Sequence, residues 1–83
     1  MAGLREEIEE IMLAAMEKVF EKPRSAFTPE TNFLEDLKAT SVQFFPIIAA
    51  LEDEFDIEIQ YQDFRREGKT IKEAIDFVEK LAR

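Results

Sequence analysis

The sequence predicts an all-α domain. Three long segments repeat apolar residues every three or four positions, the spacing of one helical face. A single stretch alternates like a strand and has no second strand to pair with. Prolines, threonines and a glycine punctuate the chain where helices would start and stop. With 83 residues, 46% of them apolar and eight of them Phe, the chain can bury one modest core, so residues 1–83 form one expected domain.

The first segment runs from Leu4 to about Phe20, with Leu4, Ile8, Ile11, Met12, Ala15 and Val19 on one face and glutamates between them. It stops near Pro23, which lacks an amide hydrogen and disfavours helical geometry just before it. Residues 22–40 read as a loop. Pro23, Ser25, Thr28, Pro29, Thr31 and Asn32 offer turns and caps, while Phe27, Phe33, Leu34 and Leu37 supply apolar pins, so the loop is expected to be packed.

Ser41 precedes a second helix expected over about 42–55, with Val42, Phe45, Ile48, Ala49, Leu51 and Phe55 as its apolar stripe. Pro46, the fifth residue of that helix, removes the bond to the Val42 carbonyl. The cost is about 3 kcal/mol in a regular interior, so an irregular start or a kink is expected. Ile57, Ile59 and Tyr61 alternate, but a lone strand leaves its backbone unsatisfied. The expectation is an extended connector and a short helical turn near 62–66, ended by Gly68. Thr70 and Glu73 then form a capping box opening a last helix with Ile71, Ala74, Ile75, Val78 and Leu81 on its face.

Composition excludes several functions. Without His or Cys the chain has no zinc or thiolate site, no Cys nucleophile and no Ser-His-Asp triad, so a non-enzyme is expected. The absence of disulfides, of an eighteen-residue apolar run and of an apolar N-terminus leads to the expectation of a monomeric cytoplasmic protein with no membrane span. A net charge of −8 disfavours nucleic acid and favours basic protein surfaces.

That charge is unevenly placed. Residues 1–20, 21–40, 41–59 and 60–83 carry −3, −1, −5 and +1. Residues 41–51 hold no charge, while Glu52, Asp53, Glu54, Asp56 and Glu58 crowd the next seven positions. Acids at a helix C-terminus oppose its dipole, so the cluster is either a solvated cap or a docking patch. A calcium loop framed by Asp56, Glu58, Gln60 and Glu67 is disfavoured, because Tyr61 stands where the turn requires glycine.

The text Phe33-Leu34-Glu35-Asp36-Leu37-Lys38-Ala39-Thr40-Ser41-Val42, followed by Ala50-Leu51-Glu52-Asp53-Glu54-Phe55-Asp56-Ile57-Glu58-Ile59, resembles the acyl carrier protein family. The stretch 70–78 resembles that family's final helix, so nearly the whole chain is covered. The resemblance implies a four-helix bundle of three long helices and a short one, with a long structured loop between the first two. It implies that Ser41 carries a 4′-phosphopantetheine arm, installed from coenzyme A by a phosphopantetheinyl transferase with magnesium, whose thiol holds acyl groups as thioesters. Read without the resemblance, Ser41 is an ordinary N-cap. Phe33, Leu37, Ile48, Leu51, Ile59 and Ile71 are candidate walls of an acyl pocket, each equally readable as core.

Three positions depart from the family's pattern: Thr40 replaces an aspartate, Lys38 a glycine and Val42 a leucine. Gln43-Phe44-Phe45-Pro46 also replaces the usual acidic helix front with an uncharged aromatic one, and the stripe places Phe44 outward. Thr40, Val42, Phe44, Phe45, Glu52 and Asp53 are therefore the expected docking residues. The expected partners are acyl-transferring, ligase or synthase enzymes with basic or partly apolar surfaces. The expected role is acyl carriage in fatty-acid or lipid synthesis, or in a specialised lipopolysaccharide or polyketide-type pathway. A non-catalytic adaptor binding through the apolar helix front, and a peptidyl carrier, are the alternatives.

Overall fold

Leu4–Phe20 forms the first helix, α1, in a computed structural model that describes residues 3–83. It buries Ile8, Met12 and Met16, spaced four apart along one line of the helix, and ends at Glu21, which takes a left-handed conformation (φ 53°) two residues before Pro23. A 3₁₀ turn, Arg24–Ala26, follows. The second helix, α2, spans Ser41–Phe55, the third, α3, Tyr61–Glu67, and the last, α4, Ile71–Ala82. Among the described residues the only β pairing is an isolated bridge between Asn32 and Thr70. The architecture is the expected four-helix bundle, three long and one short.

The core joins all four helices. Helix α1 packs against α2 and α4, and α3 against α4 and, more sparsely, α2. Helix α4 contributes Ile71, Ala74, Ile75 and Val78 and opens on the expected capping box: the Glu73 amide donates to Thr70 Oγ1 at 3.2 Å, and the Thr70 amide to Glu73 Oε1 at 3.3 Å. Leu81, expected on the same face, is 40% exposed because the helix outruns the core there.

The long loop is packed, as its apolar residues required. Phe27 and Phe33 are buried, and backbone bonds tie the loop to the α3–α4 junction: Phe33 amide to Lys69 carbonyl at 3.0 Å, Ile71 amide to Thr31 carbonyl at 3.1 Å, Lys72 amide to Pro29 carbonyl at 3.0 Å. Asn32 and Asp36 lock a helical turn within it. The Asn32 side chain accepts the Leu34 and Glu35 amides, both at 2.9 Å, while Asp36 accepts the Asn32 amide at 2.8 Å. The radius of gyration, 11.5 Å, matches the ~12 Å of a globular chain of this length, so the loop does not stand off the bundle.

Two expectations for α2 change. The start is not irregular: α2 runs from Ser41 through Pro46, neither shortened nor delayed by it. Both Pro46 and Val42 are exposed, so water can serve the Val42 carbonyl that the proline leaves unpaired. The buried face is Phe44, Ile47, Ile48 and Leu51, with Val42 and Ala49 outside. Residues 41–51 carry no charge, so nothing polar marks the outer side, and the sequence tolerates a stripe rotated by one residue.

Gly68 closes α3 where the chain passes hard against α4. A Cβ there would lie 2.9 Å from Ala74 Cα, Ala74 Cβ and the Phe64 carbonyl oxygen, all anchored atoms. Gly68→Ala should therefore cost about 1–3 kcal/mol in chemical denaturation; a loss under about 0.5 kcal/mol would show that α3 and α4 can part freely. Arg5 of α1 bonds Asp76 of α4 at 2.6 Å and holds that carboxylate below its ordinary range. A depressed carboxylate stabilises the fold above its unfolded value and loses that contribution as pH falls through its folded one. Asp76→Asn should accordingly flatten the loss of stability below about pH 4, with little change in slope near neutrality. Acid titration followed by circular dichroism checks this.

Candidate functional site

The start of α2 is built by Thr40 and Gln43. Thr40 is the N-cap, in extended conformation (φ −100°, ψ 167°), and its amide donates to Gln43 Oε1 at 2.9 Å. The Gln43 and Phe44 amides both return to the Thr40 carbonyl, at 3.0 and 3.1 Å. This is a second capping box, and it moves the expected N-cap back by one residue from Ser41 to Thr40. The signal lay in the sequence: Thr40-x-x-Gln43 has the same form as Thr70-x-x-Glu73.

Ser41 is thereby released from capping. It is the first residue inside the helix, it is exposed, and among the described residues its hydroxyl makes no hydrogen bond to protein. The bonds closing this end use the amides of Thr40, Gln43 and Phe44, which leaves those of Ser41 and Val42 among the free donors of a helix start. The loop fixes the approach. Lys38 stands in the left-handed region (φ 53°), where a glycine would sit without strain, and the Ala39 amide bonds the Phe33 carbonyl at 2.9 Å.

A phosphate attached at Ser41 fits these surroundings. The hydroxyl is accessible and unengaged, free amides and the positive end of the helix dipole favour an anion, and no carboxylate lies between residues 41 and 51.

The other expected site residues separate. Val42 is 73% and Phe45 54% exposed, flanking Ser41 on the surface with Thr40. Phe44 is 1% exposed, which corrects its expected outward position: it belongs to the core, with its ring 5.5 Å from Phe33 and 6.0 Å from Phe64. Asp53 is exposed at the far end of α2, but Glu52 is turned inward, accepting the Ile59 amide at 2.8 Å. That bond accounts for an acid placed against the helix dipole, because it satisfies the backbone of a connector that has no strand partner.

Phe33, Ile48, Leu51, Ile59 and Ile71 are buried in one core cluster, and Leu37 packs against it half-buried. The calcium frame is disrupted: Asp56 is the left-handed C-cap of α2 and Tyr61 opens α3. Tyr61 itself was missed as a site neighbour. Its ring lies 5.4 Å from Phe45 and carries the surface of α2 across to α3, a contact between residues sixteen apart that no local pattern signals.

The fold and this helix start define a small helical domain in which Ser41, at the first turn of α2, is exposed and makes no side-chain hydrogen bond among the described residues. The chain belongs to the phosphopantetheine attachment site family, which it matches over residues 10–78. Domains of this family carry 4′-phosphopantetheine covalently on a serine and act as carriers, and carrier domains interact with the enzymes that modify them. Among the described residues no helix is long and apolar enough to cross a membrane.

The division of labour at the helix start is measurable. Gln43→Ala, which removes the capping partner, should lower stability by about 1 kcal/mol in urea, whereas Ser41→Ala should change it by less than about 0.5 kcal/mol. The reverse order would return the capping role to Ser41.

Proposed function

We propose that Ser41 carries the 4′-phosphopantetheine arm and that the whole chain is one acyl carrier domain serving a dedicated lipid, lipopolysaccharide or polyketide-type pathway. The observation that carries this reading is the transfer of capping to Thr40 and Gln43, which leaves the Ser41 hydroxyl exposed at a helix start. In the attachment step the Ser41 oxygen loses its proton and forms a phosphodiester to the pantetheine-side phosphate of coenzyme A, as the pyrophosphate P–O bond breaks and adenosine 3′,5′-bisphosphate leaves. The arm supplies the thiol, for thioester chemistry, that a chain without cysteine lacks.

Each neighbour has a stated part. Thr40 and Gln43 hold the helix start in place, and the amides of Ser41 and Val42 face the phosphate charge. Val42 and Phe45 offer an apolar approach instead of the acidic front of general fatty-acid carriers, which supports dedicated partners. Acyl rather than peptidyl cargo is supported by the text Ala50–Ile59, and a monomeric, cytoplasmic carrier by the net charge of −8 and the absence of cysteine. The exposed Phe45 favours a second reading, an adaptor that needs no arm.

Co-expression with phosphopantetheinyl transferases should add one arm of roughly 340 Da, lost in Ser41→Ala. An unmodified chain with every transferase tried, together with full pathway activity of Ser41→Ala, would favour the adaptor.

A further inference from the structure

The surface that runs from Phe45 onto α3 presents two cations, Arg65 and Lys69, that form no ion pair among the described residues, on a chain whose net charge is −8. Phe45 lies one helical turn beyond Ser41, so the two share a face of α2, and the contact between Phe45 and Tyr61 continues that face onto α3. One turn further along α3 from Tyr61 is Arg65. Tyr61, Leu34, Arg65, Arg66 and Lys69 line a shallow cleft whose one acid is Glu35. Arg66 is engaged by Asp63 at 2.8 Å and Glu67 at 3.2 Å on its own helix. Among the described residues Arg65 and Lys69 form no ion pair, and both are exposed.

The acids that dominate the net charge lie elsewhere. Asp53 is twelve residues along α2 from Ser41, about 18 Å of helix, with Glu54, Asp56 and Glu58 beyond it. Val42 and Phe45 take no part in the core, so their exposure is not a requirement of folding.

Resting on the reading of Ser41 as the modified residue, we propose that the face formed by Val42, Phe45, Tyr61, Arg65 and Lys69 docks a partner enzyme of inverted charge. Its contact surface is an apolar pocket for the Phe45 ring, edged by Asp and Glu carboxylates that meet Arg65 and Lys69. The net charge of −8 steers the molecule at long range, but within the ~10 Å over which charges act at ordinary salt, the local cations decide which surface fits.

The test uses the full unmodified chain, labelled with ¹⁵N, and two amphipathic helical peptides. Both have one Leu/Phe stripe, flanked by glutamates in the first and by lysines in the second. The glutamate peptide should shift the amides of Val42, Phe45, Tyr61, Arg65 and Lys69 and bind about fivefold more tightly than the lysine peptide at low salt. The preference should shrink with added salt and reverse in a folded Arg65→Glu, Lys69→Glu variant. Equal or tighter binding of the lysine peptide at this face overturns the proposal, as do shifts confined to other residues or the absence of shifts with either peptide. The readout needs no arm, so failure of Ser41 to accept one, seen by mass, is a separate result.

Discussion

Burial of the Phe33 side chain is the constraint on which the placement of Ser41 depends. Its ring packs 5.5 Å from Phe44 of α2 and 6.1 Å from Phe64 of α3, in an aromatic cluster that Tyr61 and Phe77 extend. Its own backbone is held on both sides, the amide by Lys69 and the carbonyl by Ala39. A loop twenty residues long would otherwise sample many paths, and ordering it is costly in entropy. One fully buried aromatic, fixed by rings and hydrogen bonds together, sets where the chain re-enters the bundle and hence where α2 begins.

From that anchor the helix start follows by short steps. The turn closed by Asn32 and Asp36 and the left-handed Lys38 bring Thr40 into capping position, and Gln43 completes the cap. Lys38 occupies this conformation at some conformational cost, because a Cβ crowds its own backbone at positive φ. The tertiary bonds around it hold the geometry that a glycine would adopt freely. The far end of α2 is built on the same logic: Asp56 closes the helix in a left-handed turn, and the Glu52 carboxylate takes up the Ile59 amide. The helix thus has an uncharged front half and an acidic rear, with one of the acids spent on folding.

Much of this was legible in the sequence, and the failures share a cause. The bounds of α1, the cap of α4, the short α3 and its end at Gly68 followed from periodicity and punctuation, because charged residues marked the outer faces and cap residues the ends. In α2 the absence of charge removed the mark, so Phe44 and Phe45 exchanged places between surface and core. Glu52 could not be separated from its acidic neighbours, since the amide it satisfies lies seven residues away on an extended connector. The pocket candidates were legible as buried residues, but burial by itself does not separate a wall from a core.

The sequence by itself determined the helical class, the order and ends of most elements, the placement of charge and, through the text around Ser41, the family. These are local properties, written in spacing and residue type over a few turns. Only the tertiary structure decided which aromatic of the pair reaches the surface, that the Glu52 carboxylate turns to the Ile59 amide, and that Tyr61 of α3, one turn from Arg65, meets Phe45 of α2. Those features depend on which elements meet in space, and the packing of Phe33, Phe44 and Phe64 chooses among arrangements that the local pattern does not distinguish.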